Sequence, residues 1–143
     1  MIRAAWRIRI ERPVEDVFDF VVDLEHEPDW NPDASNAVRT SPGEIGLGTV
    51  WEQDFRRAGH VVSTIDGWER PRSVSFHAAS DAAEARVRFE FLPADEQGTE
   101  VACRVELALK GPQRLTEPLL RRRLQQRLER ERGPQLKAAL ERD

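Results

Sequence analysis

Residues 8–32, IRIERPVEDVFDFVVDLEHEPDWNP, constrain the fold more than any other stretch of the sequence. Trp6, Ile8 and Ile10 alternate with charged residues, and this period of two predicts a strand with one buried face. Pro13 follows and suits the first turn of a helix, because its φ is fixed and its missing N–H group is not needed there. The stretch therefore predicts a strand that leads directly into a helix.

The predicted helix has an acidic first turn and an apolar stripe. Glu15 and Asp16 lie where the helix dipole favours negative charge. Apolar side chains follow at the spacing i, i+3, i+4, i+7, which places them on one buried face: Val14, Val17, Phe18 and Val21. A second, shorter helix is expected over residues 24–27 and is expected to end at Pro28.

The middle of the chain alternates strand patterns with turn residues. Six strands are predicted, at residues 36–40, 49–57, 60–68, 73–79, 85–91 and 101–109. Their connections are short, which favours antiparallel pairing of successive strands. One apolar and one charged face per strand indicates a sheet that is covered on one side only. The strand at 60–68 has apolar residues on both faces, so the sequence does not indicate which face points inward.

A long helix is predicted to end the chain. Thr116 is expected to cap it, with Glu117 and Pro118 in its first turn. A leucine stripe predicts its buried face: Leu115, Leu119, Leu120, Leu124 and Leu128, with Leu136 and Leu140 as a continuation. Gly133 and Pro134 interrupt this run. Because proline removes a helical hydrogen bond, we expect a kink or a short break there.

Length and charge exclude several classes of protein. The 143 residues suit a single domain over residues 1–143. The net charge of -4 gives no overall positive field, so no DNA partner is expected. No apolar run approaches the roughly 20 residues that span a bilayer, and the arginine-rich start lacks the apolar core of a signal peptide. We therefore expect a cytoplasmic protein without a membrane span.

The chain resembles a known superfamily in residues that are spread over its whole length. These residues are Pro13, Val17, Phe18, Asp23, Pro28, Trp30 and Pro32, then Gly48 with Trp51, the turn Glu69-Arg70-Pro71, and Leu136, Lys137, Leu140 and Glu141. On this basis the chain resembles the START-like superfamily, also called SRPBCC or Bet v 1-like. Within that superfamily it is similar to the bacterial polyketide cyclase/dehydrase and lipid-transport group.

The resemblance implies an α+β helix-grip fold. About seven strands, in the order β-α-α-β6-α, would form a curved antiparallel sheet wrapped around a long C-terminal helix, with an internal cavity. Members of the superfamily bind lipids, sterols, polyketides or other hydrophobic molecules, and some catalyse cyclisation or dehydration. A fold shared by so many functions does not select one.

Ten residues are predicted to line the cavity: Trp30, Trp51, Gln53, Phe55, Ser63, Phe76, Phe89, Val105, Leu120 and Leu124. Gln53 and Ser63 would orient a ligand, since pockets are mostly apolar with a few placed polar groups. Alternatively, they bond to one another, to the backbone or to a buried water. Trp30 and Trp51 either form the wall at the cavity mouth or fill the core.

The other reactive side chains have simpler interpretations. Cys103 is the single cysteine and lies among apolar residues of a strand, which indicates a small buried hydrophobic residue rather than a nucleophile. His26, His60 and His77 have no partner at the spacing of metal ligands, so no metal site is predicted. No cofactor is predicted, and no catalytic group is identified.

Three functions remain open. The first is binding of a small hydrophobic or aromatic ligand that is lipid- or polyketide-like. The second, permitted by the resemblance, is a cyclase or dehydratase acting on a polyketide-like substrate. The third is a contact with protein or RNA through the basic last helix. Its arginines are Arg121, Arg122 and Arg123, with Arg114, Arg127, Arg130 and Arg132. Such arginines usually form a solvated face that covers apolar stems. A monomer or weak homodimer is expected.

Overall fold

The computed structural model describes residues 1–142 and shows an α+β fold built on one seven-stranded sheet. The strands are β1 (Ile2–Ile10), β2 (Ala34–Arg39), β3 (Val50–Phe55), β4 (Gly59–Glu69), β5 (Ser73–Ala79), β6 (Ala83–Pro93) and β7 (Thr99–Leu109). Their spatial order is β1-β7-β6-β5-β4-β3-β2, and every neighbouring pair is antiparallel. The sheet is curved but not closed, since β1 and β2 are its two edges. The predicted fold class is confirmed.

Four helical segments accompany the sheet: α1 (Val14–Val22), a first 3-10 helix (Leu24–Asp29), a second 3-10 helix (Gly111–Thr116) and α2 (Glu117–Leu140). Pro13 immediately precedes α1, and its carbonyl accepts a hydrogen bond from Val17 N at 3.1 Å. Pro28 does not end the first 3-10 helix but lies inside it, so that prediction is wrong. The short segment tolerates proline because only one hydrogen bond is lost, while Asp23 Oδ1 accepts from Glu25 N at its start.

Two irregularities interrupt the strand pairing, between Ala34 and Asn36 on β2 and between Ile65 and Gly67 on β4. Irregularities of this kind bend a strand and increase its twist. At Gly67 a Cβ atom would lie 2.3 Å from Ser75 Oγ, so a side chain there would displace the Ser75 hydroxyl. Glycine therefore leaves this hydroxyl free to donate to Asp66 Oδ1 at 2.8 Å beside the bend.

The structure settles which face of β4 points inward. Val61, Ser63 and Ile65 are buried, whereas Val62 between them is 42% exposed. The alternation places the hydroxyl of Ser63 on the inner face of the sheet, beside apolar neighbours.

Phe18 anchors α1 on the sheet. Its side chain is fully buried, and its ring meets the rings of Trp68 and Phe91 edge-on, with a centroid separation of 5.2 Å in each case. Val17 and Val21 are buried beside it. The apolar stripe predicted for α1 is therefore the face that packs.

The C-terminal half of α2 packs closely on β1. A Cβ atom at Gly133 would lie 3.3 Å from both Ile8 Cβ and Trp6 Cε3, so glycine lets helix and strand approach. The predicted break does not occur, since α2 continues through Pro134 without interruption. Proline has no N–H group to donate to the carbonyl of Arg130, four residues earlier. Both residues are exposed, so that carbonyl is accessible to water.

The start of α2 differs from the prediction. Thr116 does not cap the helix with its side chain, because its backbone is helical rather than extended and its Oγ1 donates to Gln113 O at 2.6 Å. Leu115 and Leu119 are 84% and 81% exposed, so the predicted leucine face is wrong at its start. Leu119 is one residue from Leu120, about 100° around the helix, and therefore lies outside the row of leucines that faces the interior.

Phe18→Ala is expected to lower the free energy of unfolding by about 3–5 kcal/mol, because it empties a fully buried position between two aromatic rings. Urea unfolding followed by tryptophan fluorescence measures this loss. Phe20→Ala is the matched control on the same helix: the Phe20 ring is only partly buried and stacks on His26. We expect a clearly smaller loss there, and equal losses would contradict the packing described for α1.

Candidate ligand-binding cavity

A cavity of about 280 Å³ lies between the inner face of the sheet, the first 3-10 helix and α2. Side chains of β5, β6, β7 and α2 form most of its apolar wall: Phe76, Val87, Phe89, Val105, Leu124 and Leu128. Phe89 is only 5% exposed, whereas Arg57, in the turn between β3 and β4, is exposed. The cavity therefore extends from this turn into the interior.

Small residues on β5 and β6 create part of this space. Ala78 and Ala79 end β5, Ala83 and Ala85 lie at the start of β6, and all four line the cavity. Ala78 pairs with Ala85 across the two strands. Protein interiors are normally packed as densely as organic crystals, so a wall of methyl groups leaves a volume that a ligand can fill.

Eight of the ten predicted residues lie on the wall of this cavity: Trp30, Gln53, Phe55, Ser63, Phe76, Phe89, Val105 and Leu124. Trp51 and Leu120 do not. Trp51 is fully buried in the core, with its ring centroid 6.2 Å from that of Phe76, so it supports the wall from behind. Leu120 lies one turn before Leu124, nearer the exposed start of α2. Contact of the eight with a ligand remains a prediction.

A chain of hydrogen bonds crosses the polar end of the cavity. Ser63 Oγ donates to Gln53 Oε1 at 2.6 Å, and Gln53 Nε2 donates to Glu27 Oε1 at 2.6 Å. Asn31 Nδ2 donates to Glu27 Oε2 at 3.1 Å, and Asn31 Oδ1 accepts from Asp33 N at 3.0 Å. All five residues line the cavity. Gln53 and Ser63 thus combine both interpretations, because they face the cavity and bond to one another.

Glu27 carries a carboxyl group in largely apolar surroundings. Loss of hydration raises its pKa above the ordinary value of 4.5, and the hydrogen bonds from Asn31 and Gln53 and the charge of Arg132 oppose this only in part. Its two oxygens accept from neutral amides rather than from a cation. Glu27 therefore holds a proton more readily than an exposed carboxyl group does.

Asp33 binds two guanidinium groups at once. Arg127 Nη2 lies 2.7 Å from Asp33 Oδ1, and Arg132 Nη2 lies 2.6 Å from Asp33 Oδ2. Burial alone would raise the pKa of Asp33, but the hydrogen bonds from Arg132 and Arg127 outweigh burial and lower it below 3.8. These bonds tie the segment after the first 3-10 helix to α2.

Cys103 also lies on the cavity wall but is a poor nucleophile. It is 2% exposed, and loss of hydration, followed by the charge of Glu27, raises the pKa of its thiol far above the ordinary value. The three histidines bond to groups away from the cavity wall. Within residues 1–142, no cluster of three or more His, Cys, Asp or Glu side chains could hold a metal ion.

Sequence reasoning missed most of the polar end of the cavity. It places Glu27 in an acidic helix and treats the arginines of the last helix as a solvated face, yet the side chain of Arg132 is only 7% exposed and that of Arg127 27%. The spacing of Glu27 and Asn31, four residues apart, is the one signal for a contact. No spacing rule connects Asp33 to Arg127 and Arg132 on α2, because that contact depends on tertiary structure.

A scan of protein families matches this chain over residues 1–141 to one family, described as polyketide cyclase/dehydrase and lipid transport. The chain belongs to this family. A search of curated proteins found no match. The family assignment confirms the resemblance seen in the sequence, and in general terms it supports binding of a hydrophobic ligand or a cyclase role.

Solved structures share the fold of this polyketide cyclase/dehydrase family member. A START superfamily protein from Mycobacterium smegmatis is 17% identical, with a TM-score of 0.74 over 99% of this chain and 95% of that one. The Zhui aromatase/cyclase from Streptomyces sp. R1128 is 14% identical, with a TM-score of 0.74 over 96% and 90%. Truncated norcoclaurine synthase from Thalictrum flavum is 12% identical, with a TM-score of 0.68 over 99% and 94%. At these identities the likeness shows the fold alone.

A helix that spans a membrane needs roughly 20 predominantly apolar residues. Among residues 1–142, no helix is both long enough and apolar enough to cross a bilayer.

Asp33→Asn is expected to lower the free energy of unfolding at pH 7 by about 3 kcal/mol, because it leaves the buried guanidinium of Arg132 without its counter-charge. Since folding lowers the pKa of Asp33, its contribution is present above pH 3.8 and is lost as the pH falls further. Urea unfolding at pH 7 and pH 3 measures both effects.

Glu131→Gln is the matched control for Asp33→Asn. It removes an exposed partner of Arg127, one turn along the same helix, and is expected to cost about 0.5 kcal/mol or less. If Asp33→Asn lowers the free energy of unfolding no more than Glu131→Gln does, Arg127 and Arg132 do not need Asp33 as a counter-charge.

Glu27→Gln is expected to change how stability depends on pH. Because folding raises the pKa of Glu27, its contribution is fully present below pH 4.5 and is lost as the pH rises through the raised value. The wild type should therefore lose stability relative to Glu27→Gln between pH 4.5 and pH 8, by about 1.4 kcal/mol for each unit by which the pKa is raised. Urea unfolding curves over this range give the difference, and parallel curves would contradict burial of an ionisable Glu27.

Proposed function

We propose that the protein binds a small hydrophobic or aromatic ligand, lipid- or polyketide-like, in the cavity beneath α2. The observation that carries this proposal is the cavity itself: about 280 Å³, with a largely apolar wall and a hydrogen-bonded polar cluster around Glu27. Ligand pockets have this composition, in which apolar side chains supply affinity and a few polar groups fix orientation.

The volume limits the size of the ligand. An apolar cavity of roughly 150 Å³ holds a benzene molecule, so about 280 Å³ suits a ligand of two fused or linked rings, or a short acyl chain. Phe76 and Phe89, whose rings meet edge-on with centroids 6.3 Å apart, offer aromatic surfaces to such a ligand. Gln53, Glu27 and Asn31 would contact its polar end.

Relatives of the same fold support an enzymatic alternative, a cyclase or dehydratase that acts on a ligand held in this cavity. Two of the solved structures are named as enzymes, an aromatase/cyclase and norcoclaurine synthase. A shared fold does not transfer their chemistry to this chain. The observation in this chain that favours the alternative is a carboxyl group facing the cavity, Glu27.

Ala85→Phe is expected to weaken binding of an apolar probe by at least tenfold, because a phenyl ring on this inward strand position would occupy the cavity. The probe is 1-N-phenylnaphthylamine, whose fluorescence rises when it leaves water. Ala102→Phe is the matched control: Ala102 on β7 does not line the cavity and pairs with Arg7 and Glu90.

Probe binding that survives in Ala85→Phe, or is lost equally in Ala102→Phe, would show that the cavity is not the binding site. Urea unfolding of both variants checks that each one is folded.

A further inference from the structure

We propose that Glu27 is a catalytic base, which removes a proton from the carbon next to a carbonyl group of a ligand in the cavity, so that the protein enolises small ketones. The inference rests on the proposed binding function, since the ketone has to occupy the cavity that Glu27 lines. It assigns a reaction and a substrate class to the polar end of the site.

The hydrogen bonds hold the carboxylate in one orientation. Asn31 Oδ1 accepts from the backbone N–H of Asp33, so the other end of the amide, Nδ2, has to face Glu27 as a donor. Gln53 Nε2 donates to the second oxygen. These two bonds use one lone pair on each oxygen, and a carboxylate has about four such sites, so Glu27 keeps the capacity to accept a proton on the cavity wall.

Two guanidinium groups lie on the same cavity wall as Glu27, where their charge would stabilise an anionic product. Asp33 is one carboxylate shared by Arg127 and Arg132, and both guanidiniums line the same cavity. The charge of Arg132 favours the carboxylate form of Glu27, although loss of hydration outweighs it, and the same charge would favour an enolate formed beside Glu27. Glu131, which is exposed, bonds to Arg127 on the solvent side.

The other titratable groups near Glu27 do not take over its role as the base. Cys103 faces it from β7, but the raised pKa of the thiol leaves that group neutral. On the 3-10 helix itself, Glu25 accepts from Arg39 N and His26 bonds to Phe20 O. Arg57 lies in the exposed turn at the cavity mouth.

Among the residues described, two carboxyl groups line the cavity, and only one is available as a base. Both oxygens of Asp33 are bound to guanidiniums, and its lowered pKa makes it a weak base. Glu27 has weaker partners, and its raised pKa makes it a stronger base than an exposed carboxylate.

The proposed step is balanced without a cofactor. The Glu27 carboxylate takes the α-proton, and the electron pair of that C–H bond forms the C=C bond of the enolate. The π pair of the carbonyl group moves to its oxygen, which becomes the anion. In heavy water the protonated Glu27 exchanges its proton for a deuteron from the solvent, and return of that deuteron to carbon restores the ketone with deuterium at the α-position. A carbonyl group acidifies the neighbouring C–H bond enough for a carboxylate to remove its proton, which defines the proposed substrate class.

The test uses 2-tetralone, a two-ring ketone that matches the volume of the cavity. Its α-protons exchange with deuterium in heavy water, and proton NMR follows the loss of their signal. Wild-type protein is expected to accelerate this exchange above buffer, with a rate that rises with pH as Glu27 loses its proton. Glu27→Gln is expected to lower the rate about 100-fold or more.

Two further variants separate a catalytic role from a structural one. Glu25→Gln changes an exposed carboxyl on the same helix and should exchange 2-tetralone at the wild-type rate. Glu27→Ala should exchange slowly until acetate is added, because acetate fits the vacated space and supplies a carboxylate. Urea unfolding confirms that each variant is folded.

Displacement of 1-N-phenylnaphthylamine by 2-tetralone distinguishes the two proposals. If 2-tetralone displaces the probe but the wild type does not accelerate exchange, or Glu27→Gln accelerates it equally, the catalytic role is overturned while ligand binding stands. If neither compound binds in the cavity, the proposed binding function fails and the catalytic role fails with it.

Discussion

The inner face of the curved sheet is apolar, and the helices cover only part of it. Phe18 and its neighbours on α1 fill one end, and the C-terminal half of α2 lies close to β1 where Gly133 permits it. The leucine row of α2 faces the remaining space across small residues of β5 and β6. The uncovered part of the face becomes the cavity, because the helices do not follow the whole curve of the sheet.

Two carboxyl groups at the polar end of the cavity have opposite properties, although they are six residues apart in the sequence. Asp33 meets two guanidiniums and stays ionised, which makes it a structural link between the loop and α2. Glu27 accepts hydrogen bonds from two neutral amides and has no direct counter-charge, so loss of hydration raises its pKa. The partners, rather than the residue type, decide that one stabilises the fold and the other is available for chemistry.

The fold family and the polar cluster provide different kinds of information about function. Membership of the polyketide cyclase/dehydrase and lipid transport family supports a hydrophobic ligand or a cyclase role. The solved relatives are too distant to say which residues act. The hydrogen bonds among Ser63, Gln53, Glu27 and Asn31 belong to this chain, and they are the features that a functional hypothesis has to explain.

Sequence patterns alone determined the architecture and most of the apolar wall. Alternating residues such as those of 85–91 and 101–109 specify strands and their inward faces, because side chains on a strand alternate between its two sides. The same rule placed Gln53, Phe76 and Phe89 on the cavity wall. Only tertiary structure decided the course of α2 through Pro134, the exposure of Leu119 and the contacts of Glu27 and Asp33. These depend on packing between separate elements, as in the contact of Asp33 with Arg132, 99 residues later in the chain, which no local periodicity encodes.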